Sequence, residues 1–568
     1  MFCLQPETKA YKIKGYISII ITVFILTGIL LFLLFLSPDK KTVQNTKNIT
    51  SGKSNDKFGG TFLQGSIGDA GTLNPLGAND NASSEIIALL FNGLVKYNKD
   101  LEIESDLCTI KNGWEIKDNG KTIIFNLRKN IFWHDEIEFT SEDVLFTYTV
   151  SSDKSVQAAY SSEYQAIEKV TALDRYTVKV EYKKPHALNL ALETWMLPIL
   201  PEHILKNTDL KKCSFNRRPI GTGPFKFKEW IPDETITLVA NESYFNGRPY
   251  LDRFIFRIIP QKSNMFLMLK NGEIDMMSLT PDQYIKQASN DEFNLRFQKF
   301  KYSGFSYTYL GFNLKQGLFK DPDIRLAICH AIDRQAMVTN ILNKLGELSN
   351  GPFLNSSWAC DPDIKPPEFD PDKARKLLGS KGWKDRDNNG YLDKPAPDGK
   401  TTRELEFTMI TNNGNEERKL AAEIICSNLK SIGIRVNFKR LAWTALLEKI
   451  NKRDFQALVL GWDLPIDPDQ YNIWHSSTQD HGNNILGYEN PEVDNLLTLG
   501  RNEIDQEKRA LIYRKIHALI LADSPAVFLY IPDNLYAIDR RFKNVSASRL
   551  GIKHNLTKWY VPKEDQRY

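Results

Sequence analysis

The stretch that most constrains this chain is Val459–Ser477, which reads VLGWDLPIDPDQYNIWHSS. A short apolar run, Ala457, Leu458, Val459 and Leu460, enters it like a buried strand. The run stops at Gly461 and opens into a loop carrying Trp462, Asp463, Asp467, Pro468 and Asp469 before Tyr471 and Trp474 resume. A buried scaffold thus delivers the loop to a fixed place. Pro465 and Pro468 stiffen it, the indole offers a stacking surface, and the three carboxylates offer charge-assisted acceptors. Such a loop suits gripping a ligand rather than transforming one. A surface turn whose aspartates cap the following helix is the plain alternative.

Around this stretch, helix and strand patterns alternate along the chain, which places it in the α/β class. Thr122–Arg128 alternates Ile123, Phe125 and Leu127 against polar neighbours and reads as a half-buried strand. Thr140 and Asp143 have capping-box spacing. Asp321-Pro322-Asp323 opens a helix with a cap, a first-turn proline and an acid near the positive dipole end. Its apolar face is Ile324, Ile328, Ala331 and Ile332. Further helices are expected at Asp372–Leu378, Arg418–Ile432, Pro491–Gly500 and Glu507–Ala522, and an apolar strand at Ala526–Ile531. Ser83 or Ser84 is expected to cap a helix whose apolar face is Ile86, Ile87, Leu90 and Leu94, with Gly93 near its end, which follows a Gly-, Asn- and Asp-rich loop at Gly65–Asn81.

At 568 residues the chain is too long for one simple core, so two or three lobes are expected. Its 74 basic and 70 acidic residues nearly cancel, leaving +4, and neither nucleic acid nor an acidic polymer is implied as a partner. The run Ile17–Leu36 carries no charge and matches the roughly 20 residues that a membrane helix needs. Lys9, Lys12 and Lys14 precede it, and Ser37-Pro38-Asp39 follows in place of a small-x-small cleavage site, so an uncleaved anchor is expected rather than a removed signal peptide. Residues 37–57, rich in Lys, Asn, Ser and Thr, read as a flexible tether. Six cysteines occur without a CxxC pair, so a disulfide framework is not indicated, although one or two bridges stay open.

Several catalytic readings fail. Ile220-Gly221-Thr222-Gly223-Pro224 is no phosphate loop, because the third glycine of a dinucleotide fingerprint falls on Lys226 and Pro224 removes a donor. His134 has no nucleophile or metal partner at a recognised spacing and reads as a turn residue. Cys329 and His330 read as packing residues. Asp385, Asp387, Asn389, Tyr391 and Asp393, with Gly390 between them, match the first part of a calcium loop. Position twelve is Ala396 where a bidentate Glu is needed, and an acidic Asn-Gly turn is the stronger reading. No cofactor is otherwise expected.

The order of motifs resembles the bacterial extracellular solute-binding proteins of family 5, the oligopeptide- and dipeptide-binding components of ABC transporters. The resemblance runs from about Gly59 to Ile538. It is carried by LNPL at 73–76, LFNGLV at 90–95, FNLRKNIFWHDEIEFTSEDVLFTY at 125–148 and IGTGPFKFKEW at 220–230. YFNGRPYLDRFIFRIIP at 244–260, LKNGEIDMM at 269–277, YLGFNL at 309–314, DIRLAICHAIDR at 323–334 and the GWDLPIDPD stretch continue it. One such motif is weak evidence; this many in a fixed order is specific.

The resemblance implies a two-lobed periplasmic-binding-protein-like fold of class II with an extra inserted domain. Lobe I would comprise residues 58–92, 217–305 and 525–568, the insert 93–216 and lobe II 306–524, behind the anchor at 1–36 and the tether at 37–57. The glycine-bearing crossings near Ile220 and Tyr307–Gly311 would lie in the hinge neighbourhood. It also implies a ligand site at Trp462, Asp463, Asp467, Trp474, Asn79 and Asn81, with an aspartate after the Gly-Trp pair holding a peptide's ammonium group. Here Asp463 follows Trp462 directly, whereas relatives place two residues between them, and Glu136 stands where relatives often carry glycine. The expected function is a monomeric, membrane-anchored binding protein outside the cytoplasmic membrane that delivers peptides to ABC permease subunits. A metal chelate, haem or sugar-like solute is the alternative, and a hydrolase built on His134 or His475 lacks any supporting signature.

Overall fold

One strand, Ala526–Asp539, ties the architecture together, and its sequence AVFLYIPDNLYAID explains how. At about 3.3 Å per residue it is too long to serve one short neighbour, so it changes partners along its length. Ala526–Tyr530 pairs antiparallel with Ser306–Phe312, whereas Asp533–Asp539 pairs with Phe297–Ser303. Pro532, which has no N–H to give, falls at the changeover opposite Gly346. The strand expected to end at Ile531 therefore continues through a Pro-Asp-Asn run that reads locally as a turn.

This computed structural model describes residues 57–396, 401–480 and 482–567. The expected membrane helix at Ile17–Leu36, and the tether apart from Lys57, lie outside them. Among the described residues no helix is long and apolar enough to cross a membrane.

The shared strand sits in a 12-stranded mixed sheet. On one side the order runs Ser306–Phe312, Ala457–Asp463, Glu406–Asn412 and Arg435–Leu441. On the other it runs Met276–Ser278, Thr61–Ser66, Arg253–Ile258, Thr235–Ala240 and Phe225–Ile231. A separate four-stranded antiparallel sheet is made by Trp114–Lys117, Thr122–Asn126, Thr177–Tyr182 and Ile167–Asp174. The first half has both faces covered. Helices Pro322–Ala331 and Glu416–Ser431 bury Ile324, Ile328, Ile425 and Leu429 on one side. Helix Gln506–Asp523 buries Tyr513, Ile516 and Ile520 on the other. Continuous apolar strands such as ALVL at 457–460 are what two covered faces require.

Local signals fixed several helix starts. Thr140 and Asp143 form the reciprocal capping box, and Asp321 caps a helix whose first residue is Pro322. Asn81–Leu90 is capped by Asp80, whose carboxylate accepts from the Ser83 amide at 2.9 Å, and not by Ser83 or Ser84; it also ends sooner than expected, because Phe91 turns extended and leaves Gly93 and Leu94 beyond the helix. Gly221 and Gly223 are required by close approach: a Cβ on Gly221 would lie 1.8 Å from the Leu90 carbonyl oxygen. His134 clamps this crossing. Its Nδ1 accepts from the Gly221 amide and its Nε2 donates to the Gly223 carbonyl, both at 3.1 Å. Burial holds the imidazole neutral by lowering its pKa to about 4. The two halves of the large sheet are joined elsewhere, at Gly304 between paired strands and near Pro532. Among the described residues, the five cysteines, at 108, 213, 329, 360 and 426, are free thiols.

Candidate functional site

Strand Ala457–Asp463 runs antiparallel to Ser306–Phe312, with Trp462 opposite Tyr307, and parallel to Glu406–Asn412. Ala457, Leu458 and Val459 are fully buried, and accessibility begins at Gly461. The Trp462 ring lies parallel to the Tyr309 ring, with centroids 6.5 Å apart. Gly461 leaves room for a cation: a Cβ there would sit 2.8 Å from Nη2 of Arg418. Arg418, in the first turn of helix Glu416–Ser431, is further held by a 3.0 Å bond from Nη1 to Asn412 Oδ1.

These groups line a cavity of about 810 Å³ whose walls come from both halves of the large sheet and from the region of the four-stranded sheet. Trp462, Asp463 and Arg418 stand on one side, Asn79 and Asn81 on another, and Glu193 and Tyr97 on a third. Asp463 is ringed by protein yet exposed to the cavity, and the Asn81 side chain hydrogen-bonds to it. Desolvation raises its pKa, and the nearby Arg418 only partly offsets this. A larger hollow of about 1100 Å³ opens beside Lys96, Asp106, Arg128 and Lys553, but it does not reach Trp462.

The structure gathers four of the six expected ligand residues, Trp462, Asp463, Asn79 and Asn81, on this cavity. The other two require correction. Asp467 is buried in a two-point ion pair, with its oxygens 2.8 Å from Nη1 and Nη2 of Arg509. Trp474 is 2 % exposed and belongs to the core. Its Nε1 donates to Gln470 Oε1 at 2.7 Å and its ring meets Tyr488 edge-on at 5.5 Å. The loop turns into helix Tyr471–Trp474, which faces inward, so proximity in sequence did not carry the second indole to the ligand.

At the calcium-like loop, oxygens of Asp385, Asp387 and Asp393 come within 4.8 Å of one another. They are engaged by the loop itself. Asp385 accepts from the amides of Asn389 and Gly390 at 3.2 and 3.0 Å, and Asp393 is paired with Arg386 at 2.8 Å. Asn389 accepts from the Tyr391 amide at 2.8 Å, and the Tyr391 ring is covered by the Arg435 guanidinium. An acidic Asn-Gly turn bonds in this way, and the three carboxylates also lie close enough together to share a cation.

Sequence reasoning missed the ion pairs that close the cavity's far wall. Arg501, on helix Pro491–Asn502, is buried and donates to Asp469 at 2.9 and 2.6 Å, to the Ser162 carbonyl at 3.0 Å and to both oxygens of Glu163 at 3.1 and 2.9 Å. Its guanidinium lies 4.0 Å from the Tyr471 ring centroid. Asp469 is held below the usual carboxylate range by Arg501 despite its burial. Lys262 meets Glu417 at 3.2 Å on another edge of the same cleft. The only signal in the sequence was a pair of arginines on otherwise amphipathic helices, which reads as a solvated face.

A sheet in two halves linked by crossing strands, with a polar and aromatic cavity enclosed between them, defines a two-domain α/β substrate-binding fold. The chain belongs to the bacterial extracellular solute-binding proteins, family 5, whose middle-region model matches residues 108–484. The oligopeptide-binding protein AppA of Bacillus subtilis is 34% identical over 549 residues, covering 95% of this chain and 98% of AppA. Its structure in complex with a nonapeptide superposes with a TM-score of 0.83, covering 89% of this chain and 99% of that one. NikZ from Campylobacter jejuni in complex with Ni(L-His) gives a TM-score of 0.79 at 26% identity, with 88% and 99% of the two chains covered. DppA from Helicobacter pylori in complex with the peptide STSA gives 0.79 at 27% identity, covering 89% and 99%. The family and these relatives are binding proteins and not enzymes.

Proposed function

We propose that this protein captures peptides outside the cytoplasmic membrane and presents them to the permease subunits of an ABC transporter. It would act as a monomer tethered by an uncleaved helix at Ile17–Leu36, behind a short cytoplasmic stub, and a linker at 37–57. In this reading lobe I comprises 58–92, 217–305 and 525–568, the insert 93–216 and lobe II 306–524. Ligand would touch both lobes only when they are shut, and that differential contact would drive closure. The similarity to peptide-binding AppA along nearly its whole length supports the reading.

The observation that carries it is Asp463, an acid open to the cavity, desolvated and beside the Trp462 indole, with Asn81 from the facing wall bonded to it. Such a group accepts a ligand's ammonium while the ring covers the adjoining chain. Asp463→Asn should weaken binding of free-amino peptides at least tenfold more than that of their acetylated forms. Equal loss for both would remove Asp463 from this role.

A metal-chelate ligand is the second reading, favoured by the direct Trp462–Asp463 succession and by the likeness to NikZ. Native mass spectrometry of the purified full chain, weighing whatever it carries, separates the two readings.

A further inference from the structure

We infer that Glu193 is a specificity-determining residue that receives a positively charged side chain of the bound peptide, so that the protein selects basic peptides. The inference rests on the peptide reading above and adds a second cation to the one assigned to Asp463.

The cavity is lined by seven carboxylates and one guanidinium, that of Arg418. Most of the acids already have partners. Glu85 is paired with Lys553 at 2.7 Å, and Glu163 and Asp469 share Arg501. Asp80 is consumed as a helix cap, accepting from the amide and hydroxyl of Ser83. Asp69 accepts from the Trp230 indole and two backbone amides. Asp463 and Glu193 remain.

Glu193 ends helix Leu188–Glu193 and accepts from the Tyr97 hydroxyl and the Asp467 amide. Both donors fall on Oε1. Among the described residues no cation lies within ion-pair distance of this carboxylate and no donor reaches Oε2. The titratable groups that face it are Tyr97, which burial and Glu193 keep protonated, and the acids Asp467 and Asp469. Those two acids are themselves satisfied by Arg509 and Arg501.

Glu193 is thus a desolvated acid among other acids, and its pKa is pushed up to about 8, by burial first and Asp467 second. Below that pH the ligand-free site holds a proton there. A lysine ammonium or an arginine guanidinium arriving at Oε2 supplies the missing charge, and the proton leaves to solvent. A purely structural Glu193, accepting from Tyr97 and Asp467, would be replaced by glutamine without consequence for ligand choice.

The test uses the full chain in detergent and two pools of nine-residue alanine-based peptides with free amino termini. One pool carries a single lysine at each position in turn, and the other carries norleucine in its place. Competition is read by native mass spectrometry. The wild type should favour the lysine pool by about tenfold or more at pH 8.5. That ratio should shrink about tenfold at pH 6.5 as Glu193 takes up its proton; the α-amino group titrates equally in both pools and cancels. Glu193→Gln should bring the ratio close to one. Equal binding of both pools by the wild type, or a lysine preference that survives in Glu193→Gln, overturns the inference and leaves the peptide reading standing. Absence of binding to either pool overturns both. Should Glu193→Gln fail to fold, the wild-type ratio decides, and a ratio indifferent to pH refutes the inference.

Discussion

The contact that bridges the two sides of the cleft, Arg501 to Glu163, makes a prediction of definite size. Glu163→Ala removes the acceptor of two bonds from Arg501 Nη2, at 3.1 and 2.9 Å, and leaves Arg501 paired with Asp469 at 2.9 and 2.6 Å on its own side. A hydrogen bond to a charged group contributes about 1.5–3 kcal/mol net. If closure brings Glu163 to Arg501, that amount is lost from the shut form alone. An open ligand-free protein would then bind its peptides about 10- to 150-fold more weakly, at roughly 1.4 kcal/mol per tenfold. The assay is peptide titration by calorimetry, paired with the ligand-free radius of gyration by small-angle scattering. Weakening should be the same for free-amino and acetylated peptides, because Glu163 acts on closure and not on one ligand group. Arg501→Met is the contrasting variant. It strands buried Asp469 and should cost about 3–5 kcal/mol of fold stability. Unchanged affinity in Glu163→Ala, together with a stability loss like that of Arg501→Met, would show that Glu163 holds the fold and would refute the closure argument.

His134 supplies a pH prediction. Its neutral form is favoured in the folded state, with pKa lowered to about 4, while the unfolded chain binds that proton near the ordinary value. Its contribution is therefore complete above about pH 6.5 and is lost as pH falls towards 4, in total about 3 kcal/mol. Urea unfolding at pH 7 and 4.5 should show a shallower pH slope in His134→Gln, and an identical slope would contradict the clamp. Glu136 has φ of 72°, in the left-handed region, where a side chain costs about 1–2 kcal/mol and glycine's looser unfolded state returns about 0.4–1. Glu136→Gly should raise the unfolding free energy by a net of about 0.5–1 kcal/mol, read as a higher urea midpoint with the slope m unchanged, and a lowered midpoint would show that the Glu136 side chain stabilises the fold.

Much of this fold was legible because its strongest signals are local. The Asp321-Pro322 start and the Thr140–Asp143 box are fixed by bonds within one turn, and ALVL at 457–460 states its own burial. Glu136 was conspicuous in the sequence as a departure from glycine, and its positive φ gives the reason. What was hidden depends on residues far apart. Pro532-Asp533-Asn534 resembles a turn unless the changeover of strand partners is known. Asp467 resembles a ligand residue until Arg509, from helix Gln506–Asp523 and 42 residues further on, is placed on it. Trp474 lies only twelve residues beyond Trp462 in the chain, and nothing in its neighbours' identity says that a four-residue helix turns it into the core. Glu193 sits in ALETWM, where the apolar flanks signal a buried helix but not the cavity at its end.

The loop that organises the sequence offers three aspartates of similar local chemistry, and the fold gives them different fates by where it supplies arginines. Helix Gln506–Asp523 sends Arg509 to Asp467, and helix Pro491–Asn502 sends Arg501 to Asp469. Both pairs are buried, and a buried pair broken on one side is costly, so those two acids are held as structure. No arginine or lysine among the described residues comes within ion-pair distance of Asp463; Arg418 is held back by Asn412 and by the space that Gly461 leaves. The same accounting on the facing wall leaves Glu193 without a cation. A binding site emerges where acids are desolvated but not neutralised, because there a ligand's positive charge gains most by entering. If Asp463 and Glu193 act as proposed, two such positions in one cavity make ligand charge and its spacing, more than ligand bulk, the property that governs which ligands this protein retains.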